Sequence, residues 1–234
     1  MSKLYQHSTI GALMSGLFEG SLTISDLLNQ GDLGIGTLDS LDGELIILDG
    51  KAYQIKGDGT VHRVDGNEKT PYAAVTDFKA EHSLKVDKKV SSDRLKDKLT
   101  RSFTSENTFQ AIKVTGSFKN ISCRSVMKQN KPYPKLVEVT RSQSEFKRPF
   151  VSGSLVGFFT PDIFGTIAVP QFHLHFMSDE KDFGGHVLDF EMIHGKAEWQ
   201  TIGTLEQHFP VTNDRFMKSD IDYSSLNEDI KEAE

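Results

Sequence analysis

The spacing of apolar residues predicts two short helices near the start of the chain. Between positions 10 and 18 apolar side chains recur at intervals of three and four residues, so they share one face of a helix. A second short helix is predicted over residues 23–29, and Gly31 follows it as glycine often follows the last turn of a helix. We expect both helices to bury an apolar face.

From residue 33 to residue 79 the pattern changes to short apolar runs separated by Asp-Gly pairs. An Asp-Gly pair between two β-rich runs is a strong local signal for a hairpin turn. We therefore expect a sheet here, with turns that begin at Asp42, Asp49, Asp58 and Asp65.

The remainder of the chain mixes one clear helix with several strands. A charged amphipathic helix is predicted to open at Ser91 or Ser92, because apolar side chains follow at intervals of four residues up to Phe103. Residues 136–146 fit a helix or a strand, and the acidic tail over 213–234 has a composition typical of partial disorder. Strands are predicted over residues 109–116, 119–126, 150–159, 166–177, 186–193 and 198–205.

Strands interrupted by clustered helices, without regular βαβ alternation, indicate an α+β protein with mixed and antiparallel sheets. We place an N-terminal α+β domain at residues 1–145. A β-rich domain with an acidic tail follows at residues 146–234.

Composition and charge narrow the possible partners. The chain has 234 residues, 37% of them hydrophobic, which is enough for a packed core. The 27 Lys and Arg against 33 Asp and Glu give a net charge of -6, which argues against nucleic acid as a partner.

Cys123 is the single cysteine, so an internal disulfide and a cysteine-based zinc site are excluded. With no apolar run of the roughly 18 to 20 residues that a membrane span needs, a cytoplasmic location is expected.

Three of the eight histidines form a candidate metal site. Side chains alternate along a strand, so His173 and His175 point to one face. A polar connection that ends in Gly184-Gly185 can turn the chain so that His186 opens the antiparallel neighbour on the same face. Three neutral nitrogens with open coordination positions are the arrangement of catalytic zinc. His194 lies too far along the strand to join them, and we assign no role to His7, His62, His82 or His208.

The histidines alone leave the reaction open. His173-x-His175 followed by Glu180 also resembles part of the cupin metal motif, although the spaced glycines and the Pro-Gly-His element of that motif are missing. A cupin-like metal-dependent oxygenase or isomerase is therefore one alternative. A non-enzymatic metal-binding regulatory domain is another, and the net charge disfavours a version that binds DNA.

Three stretches, in order, resemble the α-acetolactate decarboxylase family: the glycine-rich segment 34–50, the segment 123–134 that opens with Cys-Arg, and the histidine block 173–189. The resemblance implies a cytosolic, zinc-dependent enzyme with a two-domain α/β fold that commonly forms a homodimer. It also implies a reaction, the conversion of (S)-2-acetolactate, a 2-hydroxy-3-oxo acid, to (R)-acetoin and carbon dioxide on the way to butanediol.

The resemblance also assigns roles to particular residues. It implies that His173, His175 and His186 are the zinc ligands, that Glu44 and Arg124 are catalytic, and that Thr37 lines the pocket. The family's C-terminal glutamate is expected at Glu232, with Glu228 and Glu234 as neighbouring candidates. Apart from the resemblance, Glu44 and Arg124 would be interpreted as ordinary surface charges.

These residue types suit the reaction. Loss of carbon dioxide next to a ketone leaves an enediolate, whose negative charge a zinc ion stabilises. The planar fork of Arg124 suits a carboxylate, and a glutamic acid, Glu44 or Glu232, would deliver a proton. We further predict that the acidic tail folds back over the pocket.

Overall fold

The computed structural model describes residues 2–222 and 226–233. The strands are β1 (Lys3–His7), β2 (Leu22–Thr23), β3 (Leu33–Thr37), β4 (Glu44–Leu48), β5 (Lys51–Ile55), β6 (Val61–Arg63), β7 (Lys69–Thr70), β8 (Ala73–Thr76), β9 (His82–Val86), β10 (Val90–Ser91), β11 (Gln110–Ser125), β12 (Ser144–Thr160), β13 (Gln171–Ser178), β14 (Gly184–Thr201) and β15 (Thr204–His208). The helices are α1 (Ile10–Met14), α2 (Ile24–Leu28), α3 (Ser92–Ser102), α4 (Leu136–Thr140), α5 (Asp214–Lys218) and α6 (Leu226–Ala233). Short 3-10 turns lie at Asp39–Leu41 and Asp162–Phe164.

The first sheet has seven strands in the order β15-β1-β8-β3-β4-β5-β6. Its neighbours are antiparallel except for β1 and β15, which run parallel. Asp49 and Gly50 join β4 to β5 with φ angles of 51° and 69°, the left-handed conformation of a tight hairpin turn. The hairpin predicted at this Asp-Gly pair is confirmed.

The second sheet contains the histidine strands. It runs β10-β14-β11-β12-β13, β9 pairs with β14 as well, and every pairing is antiparallel. A short additional pairing joins β13 to β14, so the four long strands β11, β12, β13 and β14 form a closed circuit. This closure brings β13 and β14 together at the histidines.

The two sheets pack face to face through alternate residues of their strands. Along β4, Ile46 and Leu48 point toward the second sheet, whereas Leu45 and Ile47 pack on α2 on the opposite face. Glu44 shares the parity of Ile46 and therefore also faces the second sheet. The interior of the second sheet packs against α3.

Helices α1, α4 and α6 form a separate apolar cluster at one end of the interface between the sheets. From α6, Leu226, Ile230 and Ala233 are buried in it, against apolar residues of α1 and α4. The described part of the predicted disordered tail thus contains two helices, α5 and α6. The composition of the segment did not indicate α6, because the apolar face of that helix consists of only these three small or medium residues, which are interspersed with charged ones.

The prediction of mixed and antiparallel sheets is confirmed, but helices contribute less than an α+β class suggests, and the molecule is mostly sheet. The strands predicted over 109–116 and 119–126 form one strand, β11, which passes through a left-handed residue at Asn120. The strands predicted over 186–193 and 198–205 are largely one strand, β14. The predicted domain boundary at residue 145 lies just inside β12, and the two-domain division stays a prediction.

Membrane spans were also predicted to be absent. Within residues 2–222 and 226–233, no helix combines the length and the apolar character needed to cross a membrane.

Candidate metal centre and active site

Strands β13 and β14 bring three histidine side chains together. His173 and His175 lie two residues apart on β13, and His186 on β14 stands directly opposite His175 in the antiparallel register. One ring nitrogen from each lies within 4.8 Å of those of the other two. Within the described residues, this is the one group of three or more His, Cys, Asp or Glu side chains that could share a metal ion.

Burial keeps these imidazoles neutral. His173 is only 9% exposed, His175 1% and His186 6%. Burial is the largest cause that lowers the pKa of all three, that of His175 to about 3, and the positive charge of Arg124 also lowers each pKa. For His173 and His186, proximity to the other histidines lowers the pKa further. At neutral pH each ring therefore offers a lone pair, which is what a metal ion requires.

The tautomer of His175 is set by the first sheet. Its Nδ1 lies 3.1 Å from the carbonyl oxygen of Leu45, which can only accept, so Nδ1 carries the proton and Nε2 the lone pair. Nε2 is buried without a hydrogen-bond partner, and a carboxylate oxygen of Glu44 lies 3.5 Å away. Two electron-rich atoms that face each other in a buried site are stabilised by a cation between or beside them. The donor set thus fits a metal ion.

Glu44 is presented by an irregular turn between β3 and β4. Ser40 and Leu41 adopt left-handed φ angles of 65° and 54°, conformations that cost energy for residues other than glycine and are frequent at functional sites. The hydroxyl of Thr37 donates to the carbonyl of Gly43 at 2.7 Å, which ties the two ends of the turn together. Thr37 and Glu44 are also cross-strand partners. The turn therefore places Thr37 and Glu44 side by side.

Arg124 approaches the histidines from β11, whose backbone places it opposite His186. Its Nη2 lies 3.3 Å from Nε2 of His186, and its Nη1 donates to Oε1 of Gln143 at 3.1 Å. The side chain is only 7% exposed, so its charge acts in a site with little water. Gln143 was not among the predicted site residues, and it lies in the segment 136–146 whose pattern fits a helix or a strand.

These groups line one cavity. The polar part of the lining consists of the histidines, Arg124, Glu44, Thr37 and Gln143. The apolar part includes side chains of the helix cluster, with Ala233 of α6 among them. A small ligand that carries both charged and methyl groups suits such a cavity.

Glu232 is the predicted site residue that the structure does not bring to the cavity. Its carboxylate accepts two hydrogen bonds from Arg141, at 3.0 and 2.8 Å, and its side chain is 52% exposed. The physical reason is helix periodicity, because Ile230 and Ala233 occupy the buried face of α6. Glu228 is also exposed, and Glu234 lies outside the described residues.

Three neutral histidines beside a carboxylate and a buried arginine, in a cavity between two sheets, are typical of enzymes that use a metal ion to transform a small anionic substrate. The family model for alpha-acetolactate decarboxylase matches residues 4–223 of the sequence. The chain belongs to the α-acetolactate decarboxylase family.

Individual members of the family are similar in sequence over nearly the whole of this chain. The alpha-acetolactate decarboxylase of Lactococcus lactis subsp. cremoris is 45% identical over 234 residues, which cover 100% of this chain and 99% of the relative. That of Methanosarcina mazei is 43% identical, covering 99% of this chain and 80% of the relative.

Solved structures of similar proteins have the same fold as this chain. A Staphylococcus aureus protein described as of unknown function and similar to alpha-acetolactate decarboxylase is 45% identical, with a TM-score of 0.97 over 99% of this chain and 100% of that one. Acetolactate decarboxylase from Bacillus subtilis subspecies spizizenii is 33% identical, with the same TM-score over 100% of both chains.

Proposed function

We propose that the protein is a zinc-dependent decarboxylase that converts (S)-2-acetolactate to (R)-acetoin and carbon dioxide, in acetoin and butanediol biosynthesis. Family membership supports the decarboxylation of acetolactate. The observation that carries the metal dependence is the buried cluster of neutral His173, His175 and His186, which lies in one cavity with Glu44 and Arg124.

The reaction breaks the bond between the carboxylate carbon and the carbon that bears the hydroxyl. The electron pair of that bond stays with the substrate, where the adjacent ketone delocalises it as an enediolate, and carbon dioxide leaves. A zinc ion held by the three histidines would supply the positive charge that polarises the substrate's hydroxyl and ketone oxygens. The residues around the histidines bind and orient the rest of the substrate.

Arg124 is the residue we assign to the substrate carboxylate. A guanidinium offers two parallel N–H donors that match the two oxygens of a carboxylate. Its burial beside the histidines strengthens this attraction, because few water molecules compete for the charge. Thr37, whose hydroxyl is engaged by Gly43, contributes the shape of the wall next to Glu44.

Glu44 is the residue we assign to proton transfer. After carbon dioxide leaves, the former carboxylate-bearing carbon must take up a proton from one side to give a single enantiomer of acetoin. The side chain of Glu44 faces the cavity within 3.5 Å of His175, and from its protonated form it would deliver that proton to the carbon and become a carboxylate, which regains a proton from water.

A second carboxylate from the C-terminal segment was predicted at Glu232, but the pairing of Glu232 with Arg141 outside the cavity does not support this role. The C-terminal carboxylate is therefore left among Glu232 and its neighbouring candidates Glu228 and Glu234, and substitution of each separates them.

The test is incubation of the purified protein with racemic acetolactate, with acetoin and its chirality measured by chiral chromatography. We expect (R)-acetoin well above the spontaneous rate, loss of the activity after chelation, and recovery on addition of zinc. Bound metal is measured in the same sample. Acetoin at the spontaneous rate from zinc-loaded protein would contradict the proposal.

The same assay separates the cupin-like alternative. A decarboxylase works equally well without oxygen, whereas an oxygenase requires it and is loaded with iron rather than zinc. The expected homodimer is tested independently by light scattering on the eluting protein, and the expected cytoplasmic location by cell fractionation.

A further inference from the structure

We propose that Gln143 is a positioning residue that holds the guanidinium of Arg124 in place to receive the substrate carboxylate. The inference rests on the proposed function, since it assigns Arg124 to that carboxylate. Its starting point is the hydrogen bond of 3.1 Å from Nη1 of Arg124 to Oε1 of Gln143, inside the cavity that both side chains line.

The contact of Arg124 with His186 cannot hold the guanidinium in place when His186 binds a metal ion. A neutral imidazole has one lone pair and one N–H group. If the metal binds Nε2, the lone pair that faces Arg124 is used. If the metal binds Nδ1, Nε2 carries the proton and repels the N–H groups of Arg124. In both cases His186 stops accepting from Arg124, whereas the hydrogen bond to Gln143 is unaffected.

Gln143 is itself held firmly by the turn that follows α4. Its backbone N–H donates to the carbonyl of Thr140 at 3.3 Å, and that of Ser142 donates to Val139 at 3.0 Å. The next residue opens β12, in which Glu145 is the cross-strand partner of Arg124. The amide of Gln143 is therefore fixed relative to the backbone that carries Arg124.

A neutral acceptor is the right chemistry for this position. A glutamate would also orient the guanidinium, but its negative charge would cancel the charge that attracts the substrate. A glutamine fixes the direction of the N–H fork and leaves its full positive charge for the incoming carboxylate. The side chain thus favours anionic ligands over neutral ligands of the same shape.

The test compares the zinc-loaded wild type with Gln143→Met, which has a similar length and no acceptor oxygen. Calorimetry measures the binding of two probes, 2-hydroxyisobutyrate, which carries a carboxylate, and acetoin, which does not. We expect the affinity for 2-hydroxyisobutyrate to fall about tenfold, the usual scale for a hydrogen bond to a charged group, and that for acetoin to change less than about twofold. In turnover assays, KM for acetolactate should rise more than kcat falls.

Ser142→Ala is the matched control, because it changes the same turn without touching Arg124, and it should leave both affinities unchanged. Thermal melting and zinc content are measured for each variant. If Gln143→Met loses its zinc, Gln143→Asn replaces it, since the shorter amide keeps its polarity but falls short of Arg124. Equal weakening of both probes would indicate general damage and overturn the proposal, as would unchanged affinity for 2-hydroxyisobutyrate.

A double-mutant cycle shows whether Gln143 acts through Arg124. In an Arg124→Lys background, Gln143→Met should have little further effect on the binding of 2-hydroxyisobutyrate, whereas additive effects would overturn the proposal. Probe binding is measured without turnover, so the proposed function and the role of Gln143 can be refuted independently. A wild type that binds the probes without forming acetoin would refute the proposed function. An active wild type whose probe affinities are unchanged by Gln143→Met would refute the role of Gln143 alone.

Discussion

The Nδ1–H group of His175 donates to the backbone carbonyl of Leu45, although the two residues belong to different sheets. The first sheet thereby selects the tautomer of a histidine that the second sheet carries. A backbone carbonyl is a reliable orienting group for a metal ligand, because substitution of the side chain does not remove it. The arrangement of the histidine cluster consequently depends on the packing of both sheets.

Replacement of one cluster histidine should remove the metal. We expect His175→Ala to bind zinc far more weakly than the wild type, because two ligands remain and metal affinity depends on the complete set. Inductively coupled plasma mass spectrometry of the purified variant measures this. His194→Ala is the control, since His194 is exposed on the same strand β14. A His175→Ala protein with full zinc content would contradict the assignment.

Arg124→Lys should raise KM for acetolactate by about tenfold or more, because an ammonium group cannot form two parallel hydrogen bonds with a carboxylate. The positive charge is retained, so any loss reports on geometry rather than on net charge. Steady-state kinetics with zinc content checked in parallel measures the effect. An unchanged KM would exclude Arg124 as the carboxylate site.

Glu44→Gln should reduce turnover by about a hundredfold or more while the protein keeps its zinc, since an amide is nearly isosteric with the acid but does not exchange a proton. The measurement is the rate of acetoin release at saturating acetolactate. Near-normal release from this variant would remove Glu44 from the mechanism.

The C-terminal carboxylate can be identified by paired substitutions. We expect Glu232→Gln to lower turnover little, because this carboxylate is exposed and bound to Arg141. Glu234→Gln should lower turnover strongly if Glu234 is the second carboxylate. Both variants are assayed under the same conditions, and the opposite ranking would restore the sequence-based assignment of Glu232.

Acid should destabilise the fold partly through His7, a buried residue outside the site. Burial, and next the neighbouring His208, lower the pKa of His7 from 6.5 to about 4. As the pH falls, His7 is therefore protonated in the unfolded chain before it is protonated in the folded protein. The contribution of neutral His7 to the free energy of unfolding is complete above pH 6.5 and is lost as the pH falls toward 4. The loss is on the order of 3 kcal/mol.

Urea denaturation at pH 7 and pH 4.5 measures this effect in the wild type and in His7→Asn, whose amide does not titrate in this range. The variant should lose less stability between the two pH values. The cluster histidines contribute equally to both proteins, so they cancel in the comparison. Identical losses would show that His7 is not a titrating element of the fold.

The sequence could predict the histidine cluster because it depends on local rules. Alternation along a strand put His173 and His175 on one face, and the Gly-Gly pair indicated the return strand that carries His186. The Asp-Gly hairpin at Asp49 followed from backbone conformation alone. These features involve residues near one another in the chain, where a pattern contains the necessary information.

Features that depend on distant partners could not be predicted in this way. The closed circuit of four strands requires β13 to meet β14 as well as β12, and no periodicity indicates it. Gln143 acquires its role only through Arg124, which is 19 residues earlier in the chain. The placement of Glu232 depends on which face of α6 finds apolar partners on α1 and α4. Glu44 and Arg124 were selected by family resemblance, since charge patterns alone would have left them on the surface.

The parallel pairing of β1 with β15 has a consequence for the order of folding. Lys3 pairs with Thr204 and His7 with His208, so β1 acquires one of its two neighbours only after a strand that lies far along the chain has been synthesised. Pairings between such distant segments form slowly, because a long loop must close before any contact is gained. The nascent chain therefore presents an unpaired edge of β1 until β15 has been synthesised, and pulse-labelled hydrogen exchange should find the amides of β1 and β15 protected together and late.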